Sequence, residues 1–118
     1  MVRAAILVLA DTETHEDLGR VVNALMAAKE FKEAGDDVRV IFDGAATKWP
    51  GVLSDPQHKY HKLYEEVTDK IAGACGYCAR AFRADQDVRT AQVHLLEEYD
   101  GHPSLRRLVA DGYQVITF

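Results

Sequence analysis

Two cysteines three positions apart, in Cys75-Gly-Tyr-Cys78, are the residues best equipped for chemistry in this chain of 118 residues. A thiolate is a nucleophile, a soft metal ligand and a partner in disulfide exchange. Cys75 closes the small-residue run Ile71-Ala-Gly-Ala74 and precedes a helical pattern, so it sits where a strand end meets a helix start. Backbone N–H groups and the helix dipole at such a place favour thiolate over thiol, which makes Cys75 the expected nucleophile. Cys78 lies one helical turn on and is the expected resolving thiol; packing against the sheet beside Phe82 is the alternative reading for it.

Other loops offer a second set of groups for ligand binding. His15 is a candidate proton carrier or polarising donor, Asp43-Gly44 a candidate acceptor with exposed backbone, and Lys48 a candidate charge. Gly76, directly after the first cysteine, completes this set. Trp49 reads as an exposed-loop anchor or an oligomer contact rather than as a wall of the site. Zinc would need two nitrogens beside the two sulfurs, and His58 and His61 stand at i, i+3 on one helix. Both lie off that helix's apolar face, and a lone C-x-x-C is not a zinc signature, so neither metal nor cofactor is expected. A thioredoxin-like reading also fails: the motif follows the third strand, no Trp precedes it, and no downstream Pro leads into a strand.

The elements that must position these groups are legible as alternating strands and helices. Ala4 to Ala10 is a continuous apolar run of the kind buried on both faces of a parallel sheet. Thr14 caps a helix carrying Leu18, Val21, Val22, Leu25 and Met26 at the 3.6 period, ended near Gly35. Val38 to Phe42 is the second strand, followed by a loop through Gly51. A helix capped by Ser54 or Asp55, with Pro56 at its first position, buries Tyr60, Leu63, Tyr64 and Val67. Ile71 to Cys75 is the third strand, its small residues admitting close neighbours. Short helical pieces run through Phe82 and from Gln86 to Ala91; Val93 to Leu96 is a fourth strand. His102-Pro103 opens a helix ended by Gly112, and Tyr113 to Phe118 is the fifth strand.

Right-handed crossovers then give one domain over residues 1–118, a three-layer α/β/α sandwich with a mainly parallel five-stranded sheet. Ligands of such sheets collect beyond the carboxyl ends of the strands, the edge to which Asp11 to His15, Asp43 to Trp49 and Cys75 to Cys78 all belong. The formal charge of −5, without a Lys/Arg run, argues against nucleic acid as a partner. No apolar stretch reaches the ~20 residues that span a bilayer, and no membrane partner is expected. Two closely spaced cysteines are not a secreted disulfide framework, so the expected compartment is the reducing cytoplasm.

The chain resembles the DsrE family, which includes the TusD-type sulfur-relay subunits. The resemblance rests on the first strand with its Thr/His loop and amphipathic helix, and on Ile41-Phe-Asp-Gly44 with Thr47-Lys48. It continues through Ala74-Cys75-Gly76 and the closing Leu108 to Gly112-Tyr-Gln-Val115. It implies a homo-oligomer, trimer or hexamer, and a cysteine that carries sulfane sulfur as a persulfide between donor and acceptor proteins. Cys75 matches that cysteine, and Cys78 departs from the relay pattern. The expectation is a sulfurtransferase-like carrier or thiol redox protein; the alternative is a non-catalytic oligomeric module that binds a small ligand or partner, with structural cysteines.

Overall fold

The computed structural model describes all 118 residues, Met1–Phe118. Five strands form one all-parallel sheet: β1 (Arg3–Val8), β2 (Asp37–Phe42), β3 (Ile71–Cys75), β4 (Leu95–Leu96) and β5 (Gln114–Thr117), in the spatial order β4-β3-β2-β1-β5. Helices flank the sheet in an α/β/α sandwich, as the alternating pattern requires. They are α1 (His15–Glu33), α2 (Trp49–Leu53), α3 (His61–Val67), α4 (Gly76–Ala81), α5 (Asp85–Thr90) and α6 (Leu105–Ala110).

The two faces of the sheet are unequally covered. Steps from β1 to β4 all run in one direction across the sheet, so their right-handed crossovers put α1 through α5 on the same side. The return from β4 to β5 runs the other way and carries only α6 to the opposite side. Alternation along β1 feeds both: Ala4, Ile6 and Val8 join a core of 19 buried residues on the thick side, and Ala5 and Leu7 one of 5 on the thin side. Each fully buried Ile, Leu or Phe contributes about 1.5–3 kcal/mol, so Ile6, Leu25, Phe42 and Leu53 make the thick side the main source of stability.

Several local expectations are revised. Residues 49–51, read as the end of a loop, instead open α2, with Pro50 in its first turn. The next helix begins at His61 rather than at Pro56, after a series of turns. On α1, Val21 and Leu25 are buried but Met26 is exposed. The last helix is capped by the Ser104 hydroxyl, which accepts from Arg107 N, and so starts two residues beyond Pro103. The small residues of β3 do admit a close neighbour. A Cβ on Gly73 would lie 2.6 Å from the His94 carbonyl oxygen, so glycine there lets the short β4 seat against β3.

Candidate functional site

Three strand ends converge on one cluster. Asp43 is the first residue past β2, where its side chain caps a 3₁₀ turn: Oδ1 accepts from Gly44 N at 2.8 Å. The same oxygen accepts from the Cys78 thiol at 3.4 Å. Cys75, the last residue of β3, caps α4 through sulfur, its Sγ accepting from Cys78 N at 3.3 Å. The two cysteines are both free thiols, Cys75 buried and Cys78 half-buried.

The fourth member comes from the loop after β4. Tyr99 N donates to His102 O at 2.9 Å and His102 N to Tyr99 O at 2.8 Å, closing a tight turn around Asp100 and Gly101. Both central residues have positive φ, 50° and 85°, the geometry for which Asp-Gly is suited. Tyr77 N donates to Gly101 O at 2.9 Å and ties this turn to the first turn of α4. His102 is thereby held with Nδ1 3.3 Å from Cys75 Sγ, its ring 4.8 Å from that of Tyr77. One ligand-type atom from each of Asp43, Cys75, Cys78 and His102 lies within 4.8 Å of all the others.

Burial reverses the expected charge state of Cys75. The residue is fully buried, and the loss of water pushes its thiol up to about 12. The amide of Cys78 opposes the shift, as the helix-start argument anticipates, but the neighbouring Cys78 thiol and the Asp43 charge add to it. Cys75 therefore rests as a thiol at neutral pH, and its chemistry needs a base. His102 is the group in position to take the proton. A cleft of about 590 Å³ lined by Asp43, Tyr99, His102, Pro103, Ser104, Leu105 and Arg106 reaches the cluster from solvent.

The remaining sequence candidates divide around this cluster. Gly44 supports Asp43 through its N–H. Gly76 is buried beneath Glu97, whose Cγ would stand 2.6 Å from an added Cβ. Lys48 turns to the β1 end of the sheet edge, 2.6 Å from Asp11 Oδ1 and 3.4 Å from Glu13 Oε1. His15 lines a separate depression of about 450 Å³ with Trp49 and His58. Trp49 is buried, not an exposed anchor: its indole N–H is shared between the carbonyls of Ala10 and Asp11, just past β1, at 3.0 and 3.1 Å. The histidines weighed as zinc partners do not join the sulfurs. His58 Nδ1 accepts from Tyr60 N, and His61 contacts the Leu53 carbonyl and Glu65.

Sequence reasoning reads His102 as part of a helix start and so misses its role in the cluster. The signal for it is the Asp100-Gly101 dipeptide, a tight-turn pair after the fourth strand and therefore at the same carboxyl edge as Cys75.

No protein-family model matches the chain. Over 96 residues, 81% of this chain and 78% of the relative, it is 30% identical to the uncharacterized protein MJ0733 of Methanocaldococcus jannaschii. The chain belongs to the family of that archaeal protein. Among solved structures, the conserved protein of unknown function BT1422 from Bacteroides thetaiotaomicron is similar over 97% of this chain and 94% of its own, with a TM-score of 0.63 and 20% identity. At this identity the likeness speaks for the α/β/α fold alone. No helix is long and apolar enough to cross a membrane.

Proposed function

We propose that the protein handles sulfane sulfur, with Cys75 holding it as a persulfide and Cys78 as the thiol on the solvent side. The observation that carries this reading is the pairing of two reduced thiols with His102 Nδ1, 3.3 Å from the buried sulfur. Resemblance to the DsrE family supports it at Cys75, and burial supports the division of labour. Fully buried Cys75 shelters the persulfide from water and stray thiols, and half-buried Cys78 lies one helical turn away as the resolving thiol.

The chemistry is two exchanges. Cys75, its proton passed to His102, attacks the outer sulfur of a small persulfide that enters by the cleft, forming the Cys75 persulfide and releasing the donor as a thiol. An external acceptor thiol then attacks the outer sulfur on Cys75, breaking its S–S bond and leaving with that sulfur as the acceptor's persulfide. If Cys78 instead attacks the Cβ-bonded sulfur of the Cys75 persulfide, hydrosulfide leaves and a Cys75–Cys78 disulfide remains, which an external dithiol must reduce.

The test treats the reduced protein with a low-molecular-weight persulfide and follows intact mass and cyanide-labile sulfur. Wild type should at first gain one cyanide-labile sulfur per chain, and Cys75→Ser should gain none. Equal retention in Cys75→Ser, or none in any form, would overturn the proposal.

A further inference from the structure

We infer that Asp43, Cys75, Cys78 and His102 form a binding site for one thiophilic divalent cation of the Zn²⁺ class. This inference goes beyond sulfur handling and does not depend on it. Two thiolates, an imidazole and a carboxylate form a donor set that suits Zn²⁺ or Co²⁺ and discriminates against Mg²⁺ and Ca²⁺, which take oxygen. Tetrahedral coordination with Zn–S of about 2.3 Å and Zn–N of about 2.0–2.1 Å places ligand atoms roughly 3.3–3.8 Å apart. Cys75 Sγ to His102 Nδ1 is 3.3 Å and Cys78 Sγ to Asp43 Oδ1 is 3.4 Å, and no pair in the quartet exceeds 4.8 Å.

The surroundings have the outer support that metal ligands use. The amide of Cys78 already donates to Cys75 Sγ, that of Gly44 to Asp43 Oδ1, and the Tyr77 ring packs on His102. These contacts fix three of the four ligands. Charge also balances. A divalent ion enters as the two thiol protons leave, so the site with its Asp43 carboxylate and neutral imidazole keeps a net charge of −1. The bound ion engages both thiols and thereby withholds them from sulfur exchange.

Titration of the reduced, metal-free protein with Co²⁺ under anaerobic conditions tests this directly. The expected result is one ion per chain, two protons released per ion, and the intense visible and near-ultraviolet absorption of tetrahedral thiolate-bound Co²⁺, displaced by Zn²⁺. His102→Ala and Asp43→Asn should each weaken binding at least about tenfold while the protein's circular dichroism is unchanged. Absence of stoichiometric binding overturns the inference. So does binding that leaves both variants at wild-type affinity, which would mean a dithiol alone holds the ion. Sulfur uptake is measured separately on protein kept in chelator. Cobalt binding without sulfur uptake removes only the proposed function, and sulfur uptake without cobalt binding removes only the metal site.

Discussion

The carboxyl edge of the sheet holds two polar regions that differ in how their groups are used. At the β1 end, Asp11, Glu13 and Lys48 satisfy one another. The Lys48 ammonium holds the Asp11 carboxyl below its usual range, and Asp11 raises Lys48 in turn. At the ends of β2, β3 and β4, the groups converge with no opposite charge to absorb them: a carboxylate, two thiols and an imidazole face one another over a buried sulfur. Charges that pair off locally tie loops together, whereas the convergent groups at the other end are the ones the proposed chemistry uses. Lys48 has the residue type for a site but belongs to the first kind of region; His102 belongs to the second.

The sharpest way to break this contrast is at His102. If it takes the Cys75 proton, His102→Ala should slow sulfur transfer to Cys75 about a hundredfold near neutral pH, within the range for a lost general base. The defect should shrink as pH rises towards thiol ionisation, a convergence that a merely misplaced turn would not produce. Rate constants from rapid-quench cyanolysis between pH 6 and 10 measure it.

A smaller effect tests the burial of Cys75 itself. Its thiol ionises near the ordinary value of 9.0 in the unfolded chain and at about 12 when folded. Between those values the unfolded state has lost the proton that the folded state keeps, so stability must fall as pH rises. The Cys75 share of that fall is up to about 1.4 kcal/mol per pH unit. Urea melts at pH 8 and pH 10 should show a steeper alkaline loss in wild type than in Cys75→Ser; parallel losses would place Cys75 in a watery setting.

The smallest effect belongs to the β1 end. Lys48→Met removes a part-exposed ion pair and should cost about 0.5–1 kcal/mol, less at high salt, while sulfur uptake stays at the wild-type rate. A slowed uptake would join the two regions into one site.

The division between what is and is not legible in the sequence runs along the same edge. Strand ends are legible because apolar runs stop abruptly at Ala10, Phe42 and Cys75, and a parallel sheet brings the segments after these stops to one edge. That reasoning finds Asp43, Cys75 and Cys78, and also delivers His15 and Lys48. It does not say which neighbours along the edge touch, since that depends on the strand order β4-β3-β2-β1-β5 and on the 3₁₀ turn that sends Lys48 towards Asp11. His102 is hidden by Pro103, which mimics a helix start, although Ser104 is the true cap. The Cys75 charge state depends on tertiary burial, which the helix-start argument omits.

The two thiols are the point at which the functional reading is most exposed. One preparation each of wild type and Cys78→Ser, treated with an excess of a small persulfide, desalted and followed by intact mass and released sulfide, compares them. Cys78→Ser should keep one cyanide-labile sulfur on Cys75, while wild type loses its sulfur over time, releasing one hydrosulfide per chain as the mass settles at that of the Cys75–Cys78 disulfide. Sulfur recovered on Cys78 rather than Cys75 in wild type, or no difference between the two proteins, would contradict the roles assigned to the pair.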